Sequence, residues 1–216
     1  MLSQLRPAVV SVLLFVVLTG LLFPLAVTGI AQVVFHHQAN GSLISGKDGV
    51  VGSEIIGQNF SKPEYFHPRA SAAGSGYDAT SSGGTNLGPT SDKLIHGIHK
   101  KLPNGTDDSG NFDGVKDLHD AYIKENELPA DTQVPADAVT RSASGLDPQI
   151  SPANARLQIK RVAKARDLPE DEVERLVLQN TDGRSLGFLG EPGVNVLKVN
   201  LALDRAAPVK AASPAK

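Results

Sequence analysis

A long uncharged segment near the amino terminus constrains this chain more than any other feature. No charged residue lies between Arg6 and His36, and residues 8–35 are rich in Val, Leu and Phe, with Gln32 as the one strongly polar residue. A helix that spans a bilayer needs about 20 apolar residues, and this run supplies them with room to tilt. Because no comparable apolar run follows, the sequence predicts one membrane anchor that carries one soluble domain.

A cleaved secretory signal is the alternative interpretation of this segment. Gly29-Ile30-Ala31 offers small residues of the kind found at cleavage sites. The apolar core of a signal peptide is typically about 7–15 residues long, however, and this run is longer, which favours a retained anchor. Arg6 precedes the segment and the next Lys or Arg is Lys47. The positive-inside rule therefore predicts a cytoplasmic amino terminus and an extracytoplasmic soluble domain.

Four residues give the predicted membrane helix its local features. Pro24 is expected to kink or loosen the helix, a break that a neighbouring helix can compensate. Gly20, Ala26 and Gly29 are candidate points of close approach for a partner helix. They can also be ordinary small residues that face lipid, and no GxxxG motif is present to decide between the two.

The composition limits the chemistry and the partners that the chain can have. The 216 residues include no Cys, so disulfides and cysteine-based metal or redox sites are excluded. The formal net charge is −2 and no long basic block is present, so nucleic acid is not a predicted partner. We predict three regions: a short cytoplasmic amino terminus and anchor at 1–35, an extracytoplasmic α/β domain at 36–205, and a disordered Ala/Pro/Lys-rich tail at 206–216.

Helix-start signals and short apolar segments predict an α+β fold, with helices packed on a small sheet. Ser151-Pro152 is a typical N-cap followed by a first-turn proline, and it opens a helix to about Arg166. Leu197, Val199, Leu201 and Leu203 alternate with polar residues, which predicts a half-buried strand. The predicted elements are strands within 42–58, helices at 91–102, 115–126, 151–166 and from 168, and the strand at 195–203.

Two patterns resemble functional motifs but fail on inspection. Gly41 to Gly46-Lys47 matches G-x-x-x-x-G-K, but Asp48 stands where a phosphate-binding loop has Ser or Thr, so a glycine turn between a helix and a strand is favoured. The histidines at 96, 99 and 119 could suggest a metal site. Zinc needs convergent ligands at defined spacing, so we interpret them as exposed surface residues.

No pattern for nucleophilic catalysis is present either. The G-x-S-x-G motif is absent, and the paired carboxylates Asp107-Asp108 and Asp171-Glu172 resemble turn and first-turn charges. We predict no catalytic residue and no metal site. This favours an accessory subunit over an enzyme, with a membrane-anchored extracytoplasmic hydrolase as the alternative and a binding module for a surface ligand as a weaker one.

Several unusual sequence blocks follow one another along nearly the whole chain. They are Ile56-Gly-Gln58-x-Phe60, Tyr65-Phe66-x-x-Arg69-x-Ser71-Ala72, Ser82-Gly-Gly-Thr-Asn86-Leu-Gly-Pro89, Val134-Pro-x-Asp137-x-Val-Thr140, Ser144-Gly-Leu-Asp-Pro148-x-Ile150-Ser151 and Leu186-Gly-Phe-Leu-Gly-Glu-Pro192-x-Val194-Asn195-Val196-Leu197. In this order they resemble the C subunit of the bacterial Kdp potassium-transporting ATPase.

The resemblance implies a high-affinity potassium uptake pump in the bacterial inner membrane. Its other parts are a channel-like potassium-translocating subunit, a P-type ATPase subunit and a small single-helix subunit. The phosphorylated Asp of a P-type pump lies in D-K-T-G, whereas Asp92-Lys93 is followed here by Leu94, so this chain is not that subunit. The family is described as a catalytic chaperone that raises the ATP affinity of the ATPase subunit. Direct ATP contact conflicts with the predicted topology, and we assign no cofactor.

Two polar, turn-rich segments are the candidate contact surfaces for the partners. A glycine-rich loop at 74–89 and a turn at 144–148 can expose backbone groups to a partner or a cation, and equally can only connect elements of the fold. We expect docking on the outer mouth of the channel-like subunit. The candidate contact residues are Asn86, Leu87, Gly88, Pro89, Gly145, Leu146, Asp147 and Pro148.

Overall fold

The computed structural model of the protein describes residues 2–46 and 49–208. The chain divides into two compact units, Met1–Ser53 and Glu54–Lys216. The predicted boundaries at 35/36 and 205/206 stay predictions, and most of the predicted tail at 206–216 lies outside the described residues.

The amino-terminal unit contains one long apolar helix. After a 3₁₀ turn at Leu2–Gln4, helix α1 (Leu5–Val17) continues through a π-helical turn (Leu18–Leu22) into α2 (Phe23–Val34). The 30 residues of Leu5–Val34 are long and apolar enough to cross a membrane, and none of its most apolar window is buried within the protein. The predicted anchor helix is therefore present.

The predicted loosening of this helix lies in the turn before Pro24. The Phe23 N–H donates to the carbonyl of Leu18, five residues back, which makes that turn wider than an α-helical one. Proline has no N–H to offer the preceding turn, so a wider turn at this point disturbs few hydrogen bonds. A side chain at Gly20 or Gly29 would meet no atom within 4 Å, so the packing role predicted for these glycines and Ala26 stays a prediction.

A short helix and a hairpin complete this unit. Helix α3 (His36–Ala39) ends at a turn in which Gly41 has φ +88°, and the antiparallel strands β1 (Leu43–Gly46) and β2 (Gly49–Ser53) follow. The glycine turn that we preferred to a phosphate-binding loop is therefore confirmed at Gly41, while Lys47 and Asp48 lie outside the described residues. The strand prediction is confirmed for 43–46 and 49–53. It is wrong for 54–58, because β2 ends before these residues.

The carboxy-terminal unit is built from helices and one small antiparallel sheet, so the α+β prediction is confirmed. The sheet has the order β3-β5-β4. Its strands are β3 (Gln149–Ile150), β4 (Thr181–Asp182) and β5 (Gly193–Asn195). The helices are α4 (Asp92–His96), α5 (Val115–Glu125), α6 (Ala136–Val139), α7 (Pro152–Arg166), α8 (Glu170–Gln179) and α9 (Val196–Ala206).

The hydrophobic core of this unit lies among α7, α8, α9 and the sheet. Its largest completely buried apolar side chains are Phe66, Ile150, Val162, Val173, Val194, Val199 and Leu203. The predicted start of α7 is confirmed, because the Ser151 hydroxyl accepts a hydrogen bond from the Asn154 N–H at 3.1 Å and Pro152 occupies the first turn. The acids that we expected in the first turn of α8 are also present there.

The predicted strand at 195–203 is wrong beyond Asn195, which ends β5, because 196–203 belong to helix α9. The Asn195 side chain caps the helix by accepting from the Lys198 N–H at 3.0 Å. The buried positions Val196, Val199 and Leu203 follow helical spacing, and Asn200 is buried with them. The alternation of leucines and valines is thus compatible with the period of a strand and with that of a helix. Because Asn200 is polar, the sequence did not indicate that its position belongs to the buried face of the helix.

The predicted helix at 91–102 is much shorter than expected. It starts at Ser91 as predicted, and the Ser91 side chain caps it, but α4 ends at His96 because Gly97 adopts φ +78°. A Cβ at Gly97 would lie 2.6 Å from the carbonyl oxygen of Phe112, so only glycine fits this close approach. Ile98 then forms an antiparallel bridge with Phe112. His96 and His99 therefore do not share a helix, which corrects their predicted placement.

Candidate functional site

The two candidate contact segments pack against each other. The Gly83 N–H and the Ser82 hydroxyl both donate to the carbonyl oxygen of Ser144, each at 2.9 Å. Gly145 has φ +69°, and a Cβ there would lie 2.7 Å from the Ala73 side chain. We call residues 71–89 and 142–148 together the loop cluster. Sequence reasoning named both segments but did not predict that they form one surface.

An ion pair holds the inner side of the loop cluster. Arg69 Nη1 lies 3.0 Å from Asp147 Oδ2, and both side chains are about three-quarters buried, with exposed fractions of 23% and 30%. Arg69 Nη2 donates to the Thr140 hydroxyl and to the carbonyl oxygen of Arg141. The other Asp147 oxygen accepts from the Gln149 N–H at 3.0 Å. Asp147, a predicted contact residue, is therefore engaged within the protein.

Tyr77 and Ser71 connect the glycine-rich loop to this ion pair. Tyr77 adopts φ +59°, and its hydroxyl donates to the carbonyl oxygen of Arg69. Its N–H donates to the Ser71 hydroxyl, which in turn donates to the carbonyl oxygen of Gly145 at 2.7 Å. Burial, reinforced by the charge of Asp147 and opposed by that of Arg69, raises the pKa of Tyr77 above its ordinary value. Tyr77 therefore remains a hydrogen-bond donor at neutral pH.

The eight predicted contact residues differ in their accessibility. Asn86, Gly88 and Pro89 are exposed, and Asn86 has φ +53°. Gly145 is buried, and the half-buried residues are Leu87, Leu146, Asp147 and Pro148. Among these eight residues, those most accessible to another molecule therefore lie in the 86–89 tip, while the 144–148 turn is hydrogen-bonded through Ser144 to residues 82 and 83.

Sequence reasoning missed a buried polar network that α7 presents to the segment 63–67. Arg161 donates to the carbonyl oxygens of Pro63 (2.7 Å) and Tyr65 (3.0 Å) and to Asn126 Oδ1 (2.9 Å). Gln158 accepts from the His67 N–H at 2.7 Å and donates to the His67 carbonyl oxygen at 3.1 Å. These side chains take the place that a neighbouring strand would have in a sheet, and they hold the segment that leads into Arg69.

Asn200 on α9 continues the same arrangement from another helix. Its side chain accepts from the Phe66 N–H at 2.8 Å and donates to the Phe66 carbonyl oxygen at 3.0 Å. A period of apolar residues cannot reveal such contacts, because the residues that make them are polar. The only signal in the sequence was the block around Tyr65-Phe66 that carries the family resemblance.

A cleft of about 400 Å³ lies between the 59–71 segment, α5 and α7. Among the described residues, several of its polar groups are paired with one another. His67 Nδ1 lies 2.6 Å from Glu125 Oε1, and the Tyr122 hydroxyl donates to Asn154 Oδ1 at 2.8 Å. Burial raises the pKa of Glu125, but the hydrogen bond and charge of His67 and the charge of Arg161 outweigh it, so the pKa lies below its ordinary value. These pairs explain the polar lining as part of the fold.

The three histidines that could suggest a metal site lie in separate pairs. His96 lies 3.8 Å from Asp92, and His119 lies 3.1 Å from Asp120. His99 lies 2.9 Å from Asp117, and Asp113 is also near. The interpretation of His96 and His99 as exposed is confirmed.

The contact between His99 and Asp117 is part of the local fold. The Asp117 oxygen that faces His99 also accepts from the Gly114 N–H at 2.8 Å, at the start of α5. The hydrogen bond from His99 holds the pKa of Asp117 below its ordinary value. The hydrogen bond to Asp117, helped by the charges of Asp117, Asp113 and Asp107, raises the pKa of His99 against the opposing effect of desolvation. The pair therefore fastens the 98–113 segment to α5.

Comparison with known proteins gives a consistent result over nearly the full length. A family model described as K+-transporting ATPase, c chain (KdpC), matches residues 5–205. The chain is 52% identical over 202 residues to the potassium-transporting ATPase KdpC subunit of Mycobacterium tuberculosis (strain ATCC 25618 / H37Rv). The aligned residues cover 94% of this chain and 98% of the relative. The subunit of the same name from Caulobacter vibrioides (strain NA1000 / CB15N) is 53% identical over 209 residues, 96% of each chain.

Proposed function

The chain belongs to the KdpC family of K+-transporting ATPase c chains, and from this we propose that its carboxy-terminal unit docks on the pump from the extracytoplasmic side. The protein is an accessory subunit of a multi-subunit potassium pump and is not the catalytic subunit. The alternative prediction of an anchored hydrolase is not supported, because the relatives are named as pump subunits.

One observation carries the proposal: within the described part of the chain, the one helix long and apolar enough to cross a membrane is Leu5–Val34, and it precedes the carboxy-terminal unit. Arg6 stands before the most apolar part of this helix, and the next basic residue is Lys47. The positive-inside rule then favours a cytoplasmic amino terminus in the bacterial inner membrane. In this orientation the carboxy-terminal unit can stabilise the assembly and shape the potassium entrance of the channel-like subunit. The P-type ATPase subunit and the small single-helix subunit complete the complex.

The proposed topology also limits how this subunit can affect ATP affinity. A unit outside the membrane has no access to cytoplasmic ATP, so any effect on nucleotide binding passes through contacts with the partner subunits. The exposed tip formed by Asn86, Gly88 and Pro89 is the part of the loop cluster that we propose for such a contact. The ion pair of Arg69 with Asp147 holds the 144–148 turn of the same cluster in place.

A cysteine-labelling experiment tests the orientation directly. The natural sequence has no Cys, so Ser109→Cys introduces the one thiol of the protein at an exposed position. We expect a membrane-impermeant maleimide to label this variant in intact spheroplasts. Ser3→Cys, the control at the other end of the anchor helix, should react only after lysis. Labelling of Ser3→Cys alone in intact spheroplasts would show the opposite orientation.

A substitution in the exposed tip tests the docking role of the loop cluster. A side chain at Gly88 would meet no atom within 4 Å, so Gly88→Glu combined with Pro89→Ala should leave the fold intact. We expect the recovery of partner subunits with the tagged full chain to fall about tenfold, because a charge at a docking surface opposes association. Ser109→Glu adds the same charge at another exposed loop and should have no effect. Normal recovery with the tip variant would count against this docking site.

A further inference from the structure

An exposed apolar loop projects between β4 and β5. Three large hydrophobic side chains lie within four residues of one another: Leu186 is 82% exposed, Phe188 69% and Leu189 50%. Single exposed hydrophobic residues are common on protein surfaces, but a contiguous group of this kind marks an interaction site. We call residues 184–191 the apolar loop. It is separate in sequence from the loop cluster.

Hydrogen bonds within the apolar loop hold these side chains in place. The N–H of Ser185 donates to the carbonyl oxygen of Leu189, and the N–H of Leu189 donates to that of Ser185, both at 2.9 Å. Arg184 and Glu191 form an ion pair of 2.7 Å across the base of the loop. A loop that is ordered before binding loses less conformational freedom when it docks, which favours association.

Leu186 adopts a backbone conformation that is unfavourable for leucine. Its φ is +54°, and Gly187 follows with φ +83°. Residues with a Cβ rarely adopt positive φ, and such strain persists only where the surroundings or a function maintain it. The side chain of Leu186 is too exposed to compensate for this strain by packing within the chain. Backbone hydrogen bonds of Ser185, Gly187 and Leu189 hold this conformation within the chain. A partner that buries Leu186 would add the side-chain contact that the chain itself does not supply.

The charges around the apolar loop indicate what kind of surface it meets. Between residues 176 and 197 the one basic residue is Arg184, which Glu191 neutralises, and Asp182 adds a negative charge. A loop that enters an anionic membrane surface typically carries several Lys or Arg residues, and Trp or Tyr near the interface. This segment has neither, so its apolar tip with a neutral base fits a pocket in a protein.

From these observations we infer that the apolar loop inserts Leu186 and Phe188 into an apolar pocket on a neighbouring subunit of the potassium pump. The inference rests on the proposed extracytoplasmic docking and adds a second contact to it. Large side chains that enter a partner pocket usually dominate the affinity of an interface, whereas the surrounding contacts contribute little. The apolar loop should therefore affect assembly more strongly than the 86–89 tip.

Leu186→Gly separates docking from folding. Glycine removes the exposed side chain and accepts positive φ without strain, so the thermal stability of the full-length protein should stay unchanged or rise. We expect the tagged variant to recover the other pump subunits at least about tenfold less well than the wild type does. Leu178→Ala removes another exposed leucine (61%) from α8 and should leave recovery unchanged.

Each outcome of this comparison is informative. Normal recovery with Leu186→Gly, while the wild type also recovers its partners, overturns the inference and leaves the proposed function intact. Isolation of the wild type alone from induced cells overturns the proposed function and the inference with it. Photoreactive benzoyl-phenylalanine in place of Phe188 adds a direct readout. A covalent adduct with another pump subunit supports the inference, and adducts with lipid alone overturn it.

Discussion

Replacement of Arg161 by alanine should lower the free energy of unfolding of the carboxy-terminal unit by about 3–5 kcal/mol. The guanidinium group is largely buried and donates to the carbonyl oxygens of Pro63 and Tyr65 and to the side chain of Asn126. Alanine leaves these acceptors buried without a donor. Each acceptor binds water in the unfolded chain, and in the folded variant nothing replaces that hydrogen bond. The loss should be larger than that of any single surface contact.

Lysine at the same position should restore only part of the loss. Burial lowers the pKa of Arg161, against the opposing charge of Glu125, so the site already disfavours a charged group. The forked guanidinium reaches acceptors on two sides at once, which the single nitrogen of an ammonium group cannot reproduce. Arg161→Lys should therefore lie between the wild type and the alanine variant.

Urea denaturation of the full chain in a mild detergent measures this effect. All three Tyr residues (65, 77 and 122) belong to the carboxy-terminal unit, and the chain has no Trp. Tyrosine fluorescence therefore reports the unfolding of that unit without a contribution from the membrane helix. Arg156→Ala, an exposed position of the same helix, should change the stability by less than about 0.5 kcal/mol. Equal stabilities of the two alanine variants would contradict the role of Arg161.

Phe66→Ala should cost about 3–5 kcal/mol, because it empties space at the centre of the core. The ring of Phe66 is completely buried, and it belongs to the same cluster as Val162, Val194 and Leu203. Asn200 holds the backbone of Phe66 on both its N–H and its carbonyl oxygen, so the chain cannot readily move to fill the cavity.

Phe188→Ala is the matched control for this substitution. It makes the same chemical change at a side chain that is 69% exposed, so its effect on unfolding should be within about 0.5 kcal/mol. The same variant should weaken recovery of the pump subunits. The two substitutions should therefore have opposite effects: Phe66→Ala reduces stability, and Phe188→Ala reduces assembly. A loss of stability in Phe188→Ala as large as that in Phe66→Ala would show that the apolar loop has a role in folding.

Local sequence signals correctly predicted those elements that are marked by an apolar run or by helix-capping residues. The membrane helix follows from an uninterrupted apolar run, and α7 and α8 follow from their caps and first-turn residues. Where the prediction depended on hydrophobic periodicity alone, it could not distinguish a strand from a helix. The alternating residues of 195–203 fitted a strand, but Asn200 is buried in a helix, where Phe66 satisfies both ends of its amide.

The candidate site was predictable in its parts and not in its arrangement. The glycine-rich loop and the 144–148 turn are visible in the sequence as turn formers, but their contact depends on hydrogen bonds between residues about 60 positions apart, such as that of Ser82 with Ser144. The apolar loop lies within a block that carries the family resemblance, but nothing in that block predicted its exposure, because leucine and phenylalanine normally predict burial. Only its conformation shows that these side chains face outward.

The sequence by itself determined that one apolar helix precedes a unit of mixed α and β structure, and its blocks placed the chain in the KdpC family. These properties depend on the composition and residue order of single segments, so each can be recognised without knowing the rest of the fold. The tertiary structure decided which polar residues enter the core, which loop segments share a surface, and which hydrophobic side chains remain outside. Those outcomes depend on partners that are distant in sequence, as Arg161 and Pro63 are, and no local pattern encodes them.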